Sequence, residues 1–499
     1  MEGFFEKLSE LNGAVNEFVW VKVGLFLLLG AGILTTCFTG FFQLAHLKHW
    51  WKETIGSVFR KNSASTQKTD QKSISQFQAL CTALAATIGT GNIAGVSAAI
   101  VLGGPGAVFW MWVAAFFGMM TKFSENVLGI YFRKKDEQGE WAGGTMYYLK
   151  HGLAQYSHGK TPGIILAGMF AVFAIFASIG TGNMAQVNKI TLNLQSAFFK
   201  GADLGTVWGI PVLPLIIGLV LTVLAGIIII GGLQRIASFA EKIVPIMASL
   251  YVLGVLVLFF SHIDQVGAVF ASIFRFAFGV QAAAGGLAGA AISKVITQGC
   301  KRGVFSNEAG LGSSVMIHAS SNVREPVKQG MWGIFEVFFD TFVICTMTAV
   351  TVLSSGYIDL ETGLAMEGVN DATLVSRAFG DAFGAGGEMF VAVAILLFAF
   401  TTILGWSQYG CKAVEYLFGR TASKVFRVIF VLMISSGAVM SSTLAWDISD
   451  TFNGLMMVPN LIGVLTMAPL ISKITKNYVN RKIYGKQEKE MISYLDAQK

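Results

Sequence analysis

The chain has 499 residues, of which 54% are hydrophobic and 13% charged, with 57 Gly and 40 Phe; soluble domains carry about 25% charged residues. A water-soluble globular fold is excluded. Apolar runs of membrane-spanning length recur along nearly the whole chain, so the composition describes a polytopic helical membrane protein, in which the net charge of +7 bears on loop asymmetry and gives no argument for nucleic acid.

Taken in order, the first apolar run, Val19 to Ala45, lacks the short apolar core and small-residue cleavage site of a secretory signal and reads as a helix. Further spans start near Gln76, Pro105, Pro162, Ile210, Ile236, Val266 (interrupted), Met331, Glu388, Val425 and Ile448, about eleven in all. The N-terminal tail holds Glu2, Glu6, Glu10 and Glu17 against Lys7, and the segment after the first span holds Lys48, Lys52, Arg60, Lys61, Lys68 and Lys72. By the positive-inside rule the N-terminus is outside. Arg133 to Lys135, then Arg235 and Lys242, then Lys301, Arg302, Arg324 and Lys328, then Arg420, Lys424, Arg427 and the C-terminal tail fall inside. Asp264, Asp359, Glu361, Glu367, Asp371, Asp381, Asp447 and Asp450 fall outside. The five Cys stand singly, and the six His lie near span ends or in loops without ligand spacing, so neither a disulfide framework, a zinc site nor a membrane-embedded enzyme is supported.

Lipid offers no hydrogen-bond partners, so an unwound stretch in mid-membrane must be buried in protein or line a cavity. The clearest such stretch is Thr87-Ile88-Gly89-Thr90-Gly91-Asn92-Ile93-Ala94-Gly95, in the centre of an apolar span. It reads as a substrate and cation site, or as a small-residue packing motif; its glycine spacing, with no preceding strand, excludes a nucleotide loop. A second interruption, Gly279 to Gly289, follows the amphipathic run Phe270 to Phe278 and occupies the corresponding place in a second five-helix unit, as an inverted repeat requires. Ser306-Asn307-Glu308-Ala309-Gly310-Leu311-Gly312-Ser313-Ser314 competes for that role, and after Lys301 and Arg302 it is placed as a cytoplasmic or re-entrant segment. Asn183 and Gln186 share a helix face in the Gly180-Thr181-Gly182-Asn183 stretch, as do Thr402 and Trp406. Glu336 and Asp340 enter the eighth helix together, either as a proton or cation relay or as a solvated end.

The run Gly103-Gly104-Pro105-Gly106-Ala107-Val108-Phe109-Trp110-Met111-Trp112-Val113-Ala114-Ala115-Phe116-Phe117-Gly118 resembles the signature of the alanine or glycine:cation symporter family. The likeness extends through Lys122-Phe123-Ser124-Glu125, Gly143 to Tyr148 and Ser306 to Gly312. It implies an all-α LeuT-type fold: an extra N-terminal helix (18–46), a first five-helix repeat (76–261), an inverted second repeat (262–472) and a basic cytoplasmic tail (473–499). It implies a cell-membrane secondary active transporter, not an enzyme, that imports alanine or glycine with sodium. A larger neutral amino acid such as glutamine or serine, an uncoupled exchanger or channel, and a proton in place of sodium are the alternatives. No obligatory protein partner is implied.

Carried onto matching positions, the resemblance assigns the amides of Gly89, Thr90, Gly91 and Asn92, with Thr87 beside them, to the amino acid carboxylate. It assigns the carbonyls of Ala85 and Ile88 with the hydroxyls of Thr401 and Thr402 to sodium. Asn183 or Gln186, and Phe278 with Gln281, would face the substrate, and Trp406 would limit its size. Some LeuT-type carriers have a Tyr where Asn183 and Gln186 stand here.

Overall fold

The structure, a computed structural model, describes residues 2–60, 65–67, 72–278, 288–369, 373–440 and 443–495. Among these the chain is all helix apart from two two-stranded ribbons, Lys134–Lys135 with Trp141–Ala142 and Thr206–Val207 with Ile210–Pro211. Seven helices are long and apolar enough to cross a membrane, or nine when each of two sharply bent pairs is one span. The expected eleven is reached only on two further conditions. Ala385–Val439 must count twice, divided where Gly419 takes φ 83°. Val266–Ala277 and Ala288–Asn307, which flank the undescribed residues 279–287, must count as one span.

Local chemistry explains where the helices that carry the site begin. Ser75 starts Gln76–Thr87 with a reciprocal cap: its Oγ accepts from the Gln78 N–H at 3.0 Å while Gln78 Oε1 accepts from the Ser75 N–H at 3.1 Å. Pro326 opens Pro326–Val337 at a position where a missing N–H costs nothing. Three helical stretches, Phe18–Gly24, Gly180–Met184 and Phe338–Cys345, are wound as wider π turns. Glycines let the helices close up: a Cβ at Gly405 would lie 2.6 Å from the Ala86 Cβ, and one at Gly333 would lie 3.1 Å from the Lys122 carbonyl oxygen. The second half of the chain is thereby laid directly against the first.

The N-terminal helix is docked on Thr443–Thr466, where Asn16 Nδ2 donates to Asp450 Oδ2 at 3.2 Å and Trp20 Nε1 donates to the Asp450 carbonyl at 3.3 Å. Lys301 Nζ joins the same carboxylate at 2.9 Å. This corrects the loop assignment: Lys301 and Arg302 lie inside the helix Ala288–Asn307, and Lys301 pairs with an Asp that loop charge had put on the opposite side. They carry no weight in the positive-inside count, which applies to loops. In the connection 133–142, burial opposes ionisation of Asp136, but the Glu140 N–H and the Arg420 guanidinium outweigh it and hold the carboxyl below its ordinary range.

Candidate functional site

The helix Gln76–Thr87 stops because Ile88 (ψ 92°) and Gly89 (φ −136°, ψ −153°) are extended; one 3-10 turn, Thr90–Asn92, leads into Ala94–Gly103, bent 60° from the first half. The bend frees carbonyls. In an unbroken helix the Gly89 N–H would donate to the Ala85 carbonyl, but it donates to Asn92 Oδ1 at 2.9 Å. The Asn92 N–H turns to the Gly89 carbonyl at 3.3 Å, and the Ile88 oxygen it would have served lies 3.4 Å from Thr402 Oγ1. Thr401 and Thr402 each donate to the Phe398 carbonyl at 2.9 Å. Ala85, Ile88, Thr401 and Thr402 are all buried. Gly89 permits the approach, since a Cβ there would lie 2.5 Å from Thr402 Oγ1. The result is a dry group of neutral oxygens with no carboxylate among them, suited to a hard monovalent cation. Among the described residues no cluster of three or more His, Cys, Asp or Glu could hold a metal.

Beside this group lies a cavity of about 280 Å³ lined by Thr90, Gly91, Thr181, Gln186 and Phe305, with Lys189, Arg302, Asp447 and Asp450 also on its wall. Gln186 crosses to the break, its Oε1 accepting from Thr90 Oγ1 at 3.0 Å, and its Nε2 donates to the Thr181 carbonyl at 3.1 Å. Asn183 does not join it: its Nδ2 donates to the Phe430 carbonyl at 2.7 Å. Trp406 is buried behind the wall, where a Cβ on Gly182 would come within 2.4 Å of it. Thr87 bonds its own helix at the Ala83 carbonyl, 3.2 Å away. Phe278 is 56% exposed and packs on Phe109 and Trp110, away from the cavity, and Gln281 lies outside the described residues.

The segment that meets the first break is 305–314. Helix Ala288–Asn307 ends there, and Glu308, Gly310 and Gly312 take φ of 55°, 93° and 74° in a buried, irregular run. A Cβ on Gly91 would lie 3.3 Å from the Phe305 ring. Asp340 joins the two breaks, accepting from Asn92 Nδ2 at 2.6 Å, Ser306 Oγ at 2.9 Å and Thr341 Oγ1 at 3.0 Å. Of the stretch 279–289, favoured as the second break, 279–287 lie outside the described residues and 288–289 open the helix Ala288–Asn307. Sequence reasoning missed Phe305, Arg302 and the Phe398 carbonyl; the signal for Phe305 was the Gly-rich run immediately after it, set aside because of two basic neighbours.

Comparison with known proteins bears on the whole chain. Residues 5–492 match the model of the sodium:alanine symporter family. The chain is 42% identical to the sodium/alanine symporter AgcS of Methanococcus maripaludis, over 94% of this chain and 96% of that one. It is 36% identical to the probable sodium/glutamine symporter GlnT of Bacillus subtilis, over 99% and 94%. Among solved structures it resembles MhsT in complex with L-phenylalanine, with a TM-score of 0.52 at 12% identity, covering 82% of this chain and 99% of that one. The fold is of LeuT type.

Proposed function

The chain belongs to the sodium:alanine symporter family, and we propose that it imports small neutral amino acids, alanine and glycine, across the cell membrane together with sodium. The observation that carries this reading is the 3.4 Å separation of Thr402 Oγ1 and the Ile88 carbonyl. Two oxygens at right angles around a hard cation, each about 2.4 Å from it, are about 3.4 Å apart. In this reading sodium is cargo. The Ala85, Ile88 and Phe398 carbonyls and the Thr401 and Thr402 hydroxyls replace its water, and its charge holds the two halves of the broken helix in the bent geometry.

The amino acid occupies the adjoining cavity. Its carboxylate lies at Thr90 and Gly91, at the N-terminal end of the second half-helix, where the helix dipole favours negative charge. Gln186 Oε1 offers an acceptor to the ammonium group. A volume of about 280 Å³ lies just below the range of about 300–1,000 Å³ typical of drug-sized pockets, and Phe305 on its wall keeps the side-chain end small. Because sodium fixes the bend that the carboxylate needs, each cargo raises the affinity for the other by the same factor. One charge moving through 100 mV supplies about 2.3 kcal/mol, roughly a fortyfold concentration ratio.

The same reading places the N-terminus outside and the C-terminus in the cytoplasm. It treats 76–261 and 262–472 as inverted repeats, with 18–46 an added helix and 473–499 the tail. The LeuT-type fold supports it. In liposomes containing the purified chain, radiolabelled alanine is expected to accumulate when sodium is higher outside and to equilibrate only when the gradient is collapsed. Accumulation indifferent to the gradient would remove the coupling. Unlabelled glycine is expected to compete; glutamine competing better would transfer the assignment to the larger substrate.

A further inference from the structure

Past Ser306 the second break runs into a set of ionisable side chains that touch neither the cavity nor the carbonyl oxygens. Lys122, on Gly106–Tyr131, lies 3.2 Å from Glu336 Oε1 and donates to the Asn307 carbonyl at 3.0 Å, closing the C-terminal end of the helix that precedes the break. The other Glu336 oxygen is 3.0 Å from His318 Nε2. Gln329 Nε2 lies 2.7 Å from His318 Nδ1. Lys122 is the one Lys or Arg of the set, and Glu336, 3.2 Å from it, takes its charge.

Two further carboxyls remain. Glu125 Oε1 accepts from Asn460 Nδ2, which also holds the Gly310 carbonyl at 2.7 Å, while Glu125 Oε2 is buried with no partner. Glu308 sits in the break itself and accepts from Ser313 Oγ. The groups facing them are Lys122, which shares Gly106–Tyr131 with Glu125, Tyr148 from Thr145–Leu153, Glu336 and, through Ser306, Asp340 from 326–345, and Tyr409 from Ala385–Val439, with His318 from Val315–His318 behind Glu336. Thr443–Thr466 contributes the Asn460 amide and the N-terminal helix only Leu28, against Gly310. Lys122, Glu125, Glu308, His318 and Glu336 are buried, with exposures between 0% and 2%. An ion buried without a counter-charge costs several kcal/mol, and the usual escape is to neutralise it.

We propose that Glu125 and Glu308 form a proton-binding site at the second helix break, loaded in the conformation described, and that its discharge loosens the 308–313 turn. The ligand is a proton, because both carboxyls are buried, Glu125 Oε2 has no partner and the Lys122 ammonium group lies against Glu336. On discharge a carboxyl O–H bond breaks, the electron pair stays on the carboxylate oxygen, and the proton passes to water as hydronium. The charged Glu125, three residues from Lys122 on one helix, then competes for the ammonium group. Lys122 is drawn from the Asn307 carbonyl, and Phe305 and Ser306, which face the first break, lose their anchor. This goes beyond sodium coupling and does not depend on it.

The test uses the full chain in two measurements. With a fixed inward sodium gradient and equal pH on both sides, the initial rate of alanine uptake is expected to fall at least about fivefold between about pH 5.5 and about pH 8.5. In Glu125→Gln the rates at the two ends should agree within about twofold. A pH-independent wild type, or a variant that keeps the wild-type fall, overturns the proposal. The second measurement needs no transport. Groups that hold protons when folded and lose them when unfolded stabilise the protein at low pH, and that stability is lost as pH rises through their folded-state titration. The melting temperature of the purified wild type is expected to fall across the same range, and one that does not fall overturns the proposal even if the variant cannot be purified. Absent alanine uptake by the wild type would sink the transport reading alone and leave this second measurement to decide.

Discussion

Thr402→Val is expected to raise the sodium concentration for half-maximal alanine uptake by about 10- to 100-fold, the equivalent of one hydrogen-bond-like contact to a charged group at about 1.5–3 kcal/mol. Valine keeps the shape of threonine and removes only the hydroxyl, so the packing of Gly405 on Ala86 survives while the oxygen 3.4 Å from the Ile88 carbonyl is lost. Thr402→Ser restores an oxygen at the same place and is expected to recover most of the affinity. The measurement is uptake against sodium concentration at saturating alanine. An unchanged sodium requirement in the valine variant would mean that the cation sits elsewhere.

Asp340→Ala should do more damage, lowering uptake by about 100-fold or more at any sodium concentration. Three donors, Asn92 Nδ2, Ser306 Oγ and Thr341 Oγ1, end on this one carboxylate. Each buried donor left without a partner costs about 1–3 kcal/mol. Two of the three belong to the facing breaks, so the loss separates them. Protein yield and melting temperature, followed in parallel, distinguish a separated site from an unfolded chain: a folded variant with near-normal uptake would show that the carboxylate does not hold the breaks together.

The first break was legible because its chemistry is local. Gly89, Thr90, Gly91 and Asn92 are poor helix formers in a place where lipid punishes an open backbone, and the structure bends the chain there by 60°. For the second, 306–314 was set aside because sequence charge was read as loop position, whereas Lys301 pairs with Asp450 inside the fold; the favoured stretch 279–289 falls almost wholly outside the described residues. Two pairs grouped by helix face serve separate partners in the structure. Asn183 and Gln186 stand three apart and Glu336 and Asp340 four apart, spacings that share a face on an α-helix. Each pair straddles one end of a π turn, Gly180–Met184 or Phe338–Cys345. Asn183 binds Phe430 while Gln186 reaches Thr90, and Glu336 serves Lys122 while Asp340 serves Asn92. Nothing in the composition of either stretch announces a wider turn.

A π turn is one residue more than an α-helix needs. Excising that residue would mend the ladder, shorten the span by only about 1.5 Å and swing everything beyond it by about 100° around the axis. In Phe338–Cys345 that swing would carry Asp340 out of register with one or both of its helix-break partners, so the surplus amino acid is a spacer kept for aim. The membrane would accept either length of helix, and only the chamber discriminates between them.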